Sequence, residues 1–327
     1  MDNLLTCSPS PHLKSKRTTK GIMADVCIAL CPAVIMGIVY FGLTALLLIV
    51  LSVLSAILGE FVFLIIAKKP IKEIIRDFDF SSLVTGLLVG LTIGTNYPWY
   101  TPVFGSIFAV VAVKMLFGGT GKNVVNPAIA GRIFIFISFQ AVLGAWVLPS
   151  IGPISGTDIT SSATALESIT KGSMPEGLSL LDLFLGTGLY GCIGETCKAA
   201  LIVGGVYLAV RGVINIGYPA IYIAVTGLLS CAIYADIGMF LPTVLSGGLV
   251  LGAIFMATDY VTTPNTTLGN IIYFAALGCL TAVLRYATQM ETVSFAILLM
   301  NLTVPLIDRF VVLKPFGHLK IKKEKKQ

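Results

Sequence analysis

Residues 22–67 read IMADVCIALCPAVIMGIVYFGLTALLLIVLSVLSAILGEFVFLIIA, and the only charges in the run are two acids, Asp25 and Glu60. A membrane-crossing helix needs about 20 apolar residues. The run is therefore read as two spans, at 22–41 and 43–67. Backbone groups in lipid find no water partner, so a spanning segment is a helix or part of a closed barrel, and runs of this length read as helices. Further apolar segments fall at 81–95, 101–117, 128–148, 179–210, 216–234, 238–257, 267–284 and 292–312. The segment at 81–95 is short and glycine-rich. The long one at 179–210 carries Gly186, Gly188, Gly191 and Gly194, which predicts a break or a re-entrant half-helix inside it. The expected fold class is an all-α integral membrane protein of about ten transmembrane helices, some broken or re-entrant.

Composition points the same way. The chain is 56% hydrophobic and 12% charged over 327 residues, with a mean hydropathy of +0.93. A soluble domain carries roughly a quarter of its residues as charges, so no soluble domain of working size is expected and lipid is the partner of most of the surface. The net charge of +6 comes from short connecting segments and the two ends. That is a topology signal and calls for no nucleic acid. Seven cysteines without a CxxC, and two histidines, give no zinc site and no iron–sulfur site with four ligands from this chain; no metal is expected. Residues 1–21 are mostly polar and do not resemble a cleavable signal peptide.

Cytoplasmic loops carry an excess of Lys and Arg. With the N-terminus inside, the inner segments hold Lys14, Lys16, Arg17 and Lys20, then Lys68, Lys69, Lys72 and Arg76, then Lys114, Lys122 and Arg132, then Arg211. The C-terminal end adds Arg309, Lys314, Lys320, Lys322, Lys323, Lys325 and Lys326, whereas the outside receives Lys171 and Arg285. Both termini are thus expected in the cytoplasm and loop 149–178 outside, on a multi-pass membrane protein. The expected division is a cytoplasmic segment at 1–21, a membrane domain at 22–313 and a basic cytoplasmic tail at 314–327. Residues 85–102, TGLLVGLTIGTNYPWYTP, and 246–264, SGGLVLGAIFMATDYVTTP, are two small-residue helices that run into a polar stretch ending in Thr-Pro. They enter the membrane from opposite sides, as inverted repeats of transporter folds do. Repeat one is placed at about 22–148 and repeat two at about 179–313.

Four motifs stand out against this background. In the outer loop, Asp158, Ile159, Thr160, Ser161, Ser162, Ala163 and Thr164 precede Leu166. A run of small hydroxyl residues is ordinarily just a loop, but it also offers an exposed hydroxyl flanked by small neighbours. Gly118-Gly119-Thr120-Gly121-Lys122-Asn123 leads to Asn126-Pro127-Ala128. Asn123 breaks the Walker A pattern, which needs Ser or Thr after the lysine. What remains is either a plain turn with Pro127 starting a helix or a loop whose amides contact a cofactor or partner subunit. Thr258-Asp259-Tyr260-Val261-Thr262-Thr263-Pro264 reads as a helix terminus or as part of such a contact. Glu195 and Lys198, three apart, are expected to share a helix face, as a structural pair near the interface or as part of an ion or cofactor site. Asp25, Glu60, Asp182, Asp236 and Asp308 are expected near helix ends at the interface.

Together these residues resemble the family containing RnfD and NqrB. The resemblance rests on Ser10-Pro11-His12, Met23-Ala24-Asp25-Val26, Leu30-Cys31-Pro32-Ala33, the Gly118–Ala128 motif, the Thr164 segment, Gly194-Glu195-Thr196 and the Thr258–Pro264 element. Ser162 stands where the family's Ser-Gly-Ala-Thr core has glycine, and Tyr260 where proline is usual. The short N-terminal segment is similar to that of RnfD. The resemblance implies two inverted five-helix repeats of urea-transporter-like architecture. It implies FMN joined through a phosphoester to Thr164 by a flavin transferase, with Asp158, Ser161, Ser162 and Ala163 forming the attachment segment; Thr157, Thr160, Ser161 and Ser162 are the competing hydroxyls. A second, non-covalent flavin, riboflavin, belongs to the same implication. Gly119, Gly121, Asn123, Asn126, Thr258 and Asp259 are the candidate flavin or subunit contacts. The implied role is electron relay in an Rnf-type ferredoxin:NAD+ oxidoreductase that moves Na+ or H+, beside the other Rnf subunits (RnfA, RnfB, RnfC, RnfE and RnfG). The chain would be one part of that translocase and not a complete enzyme alone. The rival from another class is a flavin-free channel or secondary transporter for a small polar solute.

Overall fold

The computed structural model describes residues 17–139, 146–147, 159–160, 165–173, 178–187 and 191–312. The Thr18 hydroxyl accepts from the Gly21 amide and caps helix α1, Thr19–Ile66. A straight helix would set residues 20 and 61 about 60 Å apart at 1.5 Å per residue. Yet the Lys20 ammonium lies 5.3 Å from the centroid of the Phe80 ring. Phe80, Phe78 and Phe61 form one aromatic row, with successive centroids 5.4 and 5.9 Å apart. The chain therefore doubles back inside α1. The turn is Gly42, at φ 66° and ψ −152°, a conformation open to glycine and closed to residues with a Cβ. α1 is two arms that meet the expected spans at 22–41 and 43–67.

Helix α2, Ile71–Asp77, follows at the face where both arms end. Helix α3, Ser81–Leu91, packs back along the second arm. Gly86 permits this approach: a Cβ there would sit 2.7 Å from the Val53 Cα. After a break at 92–99, α4 (Tyr100–Ile107) continues in wider π turns to Met115. Asn126 caps α5, Pro127–Ser138. Strands β1 (Trp146–Val147) and β2 (Ile159–Thr160) form a short antiparallel pair, Trp146 opposite Thr160, beside an otherwise helical architecture. Helix α6 is Ala165–Thr170, and α7, Leu180–Leu185, begins with a Ser179/Asp182 capping box. Ile169, Leu183 and Met239 share a small core.

Helix α7 ends at Gly186, with φ 88°, and α8 begins at Lys198 and runs to Val210, so the segment at 179–210 is broken as expected. Helices α9 (Gly217–Tyr234) and α12 (Thr267–Thr288) run side by side, joined by the Tyr222 and Thr281 hydroxyls 2.8 Å apart. Between them lie a 3-10 turn at Ile237–Met239, α10 (Phe240–Leu245) and α11 (Leu249–Leu251), which continues in π turns to Met256. This stretch bends by 70° at 246–248. Helix α13, Val293–Phe310, closes the described chain.

Among the described residues, four helices, α1, α9, α12 and α13, are each long and apolar enough to cross a membrane, and the bent pair makes a fifth candidate. Leucines 43, 47, 54 and 58 of α1 face outward. An apolar outer surface suits lipid, not water. The three breaks meet: the Ile193 amide donates to the Ile93 carbonyl at 3.0 Å and the Gly194 amide to Leu91 at 2.7 Å. Glu291 accepts the Gly248 amide at 3.1 Å. Backbone groups freed by unwinding thus find partners inside the protein, which lipid demands. Arg17 donates to the Gly212 carbonyl, and Asp308 accepts from Asn265. The two loops held in this way lead into the walls of one cavity, through Val213 and Ile214 and through Thr258 to Val261, so both ends lie at one face, called here the terminal face.

Three expectations change. Arg285 is not in an exposed outer loop: it is fully buried in the last turn of α12. Glu195 and Lys198 do not share a helix face, because Glu195 precedes α8. Lys198 donates to the Glu195 backbone carbonyl, while the Glu195 carboxylate pairs with Arg132 at 2.8 Å. Glu60 is not interfacial but buried. In the two repeat-like stretches, Thr101-Pro102 lies in the first turn of α4, where proline is tolerated, whereas Thr263-Pro264 lies in the loop before α12.

Candidate functional site

The glycine-rich loop and the Thr258–Pro264 element are more than a hundred residues apart in sequence and meet at one cavity. Asn126 joins them. Its Oδ1 accepts the Ala128 amide at 2.9 Å, capping α5, and its Nδ2 donates to the Met256 carbonyl at 3.1 Å. Asn123 Nδ2 donates to the Val125 carbonyl at 3.0 Å and holds the loop in shape. Thr258 donates to the Ile254 carbonyl at 2.6 Å, and the Asp259 carboxylate accepts from the Val261 amide and the Thr262 hydroxyl.

The cavity holds about 100 Å³. Ile22, Met23 and Val26 of α1, Leu88 of α3, Leu208 of α8 and Phe255 form its apolar walls. Thr85, Lys114, Asn123, Asn126, Thr258 and Asp259 supply its polar positions. Four of the six candidate contacts read from the sequence are thereby brought together. Gly119 and Gly121 are not in the wall: both have positive φ, a Cβ at either would meet nothing, and the Gly119 amide already donates to the Lys114 carbonyl. They shape the turn.

Sequence reasoning missed the polar group behind this wall. Lys114 donates to Glu60 at 3.0 Å, to Ser81 at 2.6 Å and to Ser82 at 3.0 Å, and Ser82 also donates to Glu60. The Lys114 side chain is 2% exposed. Ser81 extends the group to Asp79 and Thr120. Burial pushes the Asp79 carboxyl up, but the hydroxyls of Ser81 and Thr120 and the Lys114 charge outweigh it and hold it below its usual range. The signal was present as a lone lysine in VVAVKMLF and a lone glutamate in AILGEFVF. A charge inside an apolar run tends to pair or serve a site.

A second buried charge cluster lies where the breaks meet. Arg132 pairs with Glu195, and Arg285 with Glu291 at 3.1 Å. Arg285 also donates to the carbonyls of Thr243 and Ser246, securing the bend after α10. Gly248 lies so close to Glu195 that a Cβ would collide with its carboxylate. Leu91, Ile93, Ile129, Ile193, Leu249 and Leu251, on the segments that carry this cluster and the cavity, are each at most 2% exposed. No group of three or more His, Cys, Asp or Glu suited to a metal ion occurs among the described residues.

The attachment segment, Asp158, Ser161, Ser162, Ala163 and Thr164, lies outside the described residues. Its flanks are β2 and α6, and Leu166 and Ile169 of α6 are buried. Gly172 lies against Tyr234, at the end of α9 remote from the terminal face.

The chain's residues 6–317 match the model of the family described as NQR2, RnfD, RnfE. It is 42% identical, over 98% of both chains, to the D subunit of the Na(+)-translocating ferredoxin:NAD(+) oxidoreductase complex of Acetobacterium woodii. It is 36% identical, over 96% of this chain and 97% of the other, to the D subunit of the proton-translocating ferredoxin:NAD(+) oxidoreductase complex of Clostridium ljungdahlii. The D subunit of an ion-translocating oxidoreductase complex of Escherichia fergusonii is 33% identical over 95% of this chain and 98% of its own.

Proposed function

The chain belongs to the NQR2, RnfD, RnfE family, and on that footing we propose that it is the flavin-carrying membrane subunit of an Rnf-type ferredoxin:NAD+ oxidoreductase, with FMN esterified to Thr164. The observation that carries this reading is the near full-length similarity to the D subunits of such complexes, together with the Asp158–Thr164 attachment segment. The partners are the other Rnf subunits (RnfA, RnfB, RnfC, RnfE and RnfG) and a flavin transferase that loads Thr164. The coupled ion is Na+ or H+, since one relative is named for each. The chain sits in the bacterial cytoplasmic membrane with the terminal face inside and the attachment segment outside. Ten spans in two inverted repeats belong to the same reading.

The cavity at the terminal face suits a second, non-covalent flavin such as riboflavin. A flavin supplies one- and two-electron chemistry when bound. Its ring is largely apolar with one hydrogen-bonding edge, and the walls match: Met23, Leu88, Leu208 and Phe255 against the ring, Asn123, Asn126, Thr258 and Asp259 toward the edge.

The test is in-gel fluorescence. The denatured protein is expected to fluoresce yellow-green, and Thr164→Ala to abolish the band and electron transfer in the complex. A fluorescent band that survives in Thr164→Ala removes Thr164 from the role. Solute uptake by flavin-free chain in liposomes would favour the transporter reading.

A further inference from the structure

Helix α2 has four distinct faces. Ile74 is 4% exposed and turned into the protein, whereas Ile71 and Ile75 are 62% and 61% exposed. At 100° per residue, Ile71 and Ile75 share one stripe, Lys72 and Arg76 lie on the flank beside it, and Glu73 and Asp77 lie on the opposite flank. Lys68 and Lys69 in the preceding turn are exposed as well. Two exposed isoleucines are unsuited to water, and on a helix this short they are not needed for the core. Val62, Ile65 and Ile66, at the end of α1 that leads into this turn, are 53%, 51% and 74% exposed as well. Exposed apolar residues thus stand on both sides of the turn, with four exposed basic residues on the turn and on α2.

The geometry points to an anionic-phospholipid seat at this corner: Ile71 and Ile75 dip into the acyl boundary and Lys68, Lys69, Lys72 and Arg76 hold the phosphodiester. Long basic side chains beside an apolar stripe reach back to headgroup level in this way. Juxtamembrane basic clusters attract anionic lipid, each residue adding to the affinity. Glu73 and Asp77 face away from the stripe, and Arg76 Nε donates to Asp77 at 3.1 Å in an exposed pair that leaves the other guanidinium nitrogens available. This inference does not depend on the flavin reading.

The experiment compares the purified chain in zwitterionic detergent micelles with added phosphatidylglycerol or phosphatidylcholine, read by native mass spectrometry and thermal unfolding. Phosphatidylglycerol is expected to be retained and to raise Tm. The variant K68Q/K69Q/K72Q/R76Q is expected to lower retention at least about tenfold, and I71S/I75S to lower it with the charges intact. Lys171→Gln, at the opposite face, is the control. Equal loss in Lys171→Gln would overturn the proposal, as general attraction. So would unchanged retention in the fourfold variant. A label on Ile75→Cys that reacts in the lone chain in liposomes but is blocked in the assembled complex would overturn it too, by assigning the stripe to a neighbouring protein of the complex.

Discussion

Lys114 uses all three ammonium protons on Glu60, Ser81 and Ser82, and so holds two helices and the second arm of α1 at one point. Breaking a buried ion pair from one side leaves a charge without a partner, which costs roughly 3–5 kcal/mol, whereas removing both charges costs far less. Lys114→Met is therefore expected to lower the unfolding midpoint in detergent sharply, and Glu60→Gln/Lys114→Met to recover much of the loss. A double-mutant cycle checks this; additivity within about 0.5 kcal/mol would mean that the two do not act as a pair. Asn126 allows a finer test. Asn126→Ala removes both the α5 cap and the tie to Met256, at a cost of about 1–2 kcal/mol. Asn126→Ser keeps a cap oxygen and loses the tie. The alanine variant is thus expected to be the less stable of the two in thermal unfolding.

At the scale of elements, Gly42 decides how α1 folds. An alanine there would be held at a φ and ψ that L residues avoid, a strain of roughly 1–3 kcal/mol. Gly42→Ala is expected to reduce the unfolding midpoint and the yield of folded protein, while Leu43→Ala on the lipid-facing surface changes little. Equal effects from the two would remove the turn's special status. Hydropathy reveals the two arms because each is a solid apolar run, and the glycines of 179–210 mark the break before α8. It cannot reveal partnership across the chain. Closeness in sequence pairs Glu195 with Lys198, but its partner is Arg132, 63 positions earlier, brought near by the meeting of the breaks. Arg285 misleads for the same reason: a single arginine at a segment's end looks exposed until the carbonyls of Thr243 and Ser246 are set beside it. The cavity residues are legible as motifs, and Asn126 shows why. A capping asparagine before a proline reads locally, while its bond to Met256 does not.

Across the whole molecule, the two faces differ in what they carry. The terminal face has both described ends, α2 and the cavity, while α6 and Lys171 lie opposite. Cysteines introduced at Lys69 and Arg309 are expected to react with a membrane-impermeant maleimide from the same side, and one at Lys171 from the other. Labelling of all three from one side of intact cells would undo this arrangement, and with it the route by which a flavin transferase reaches loop 149–178. The reversal in α1 also bears on how the protein is made. One glycine between two arms leaves no stretch of chain to be threaded across the bilayer by itself. The two arms must leave the translocon as a single hairpin, and a protease added on that side finds no linker to cut between them.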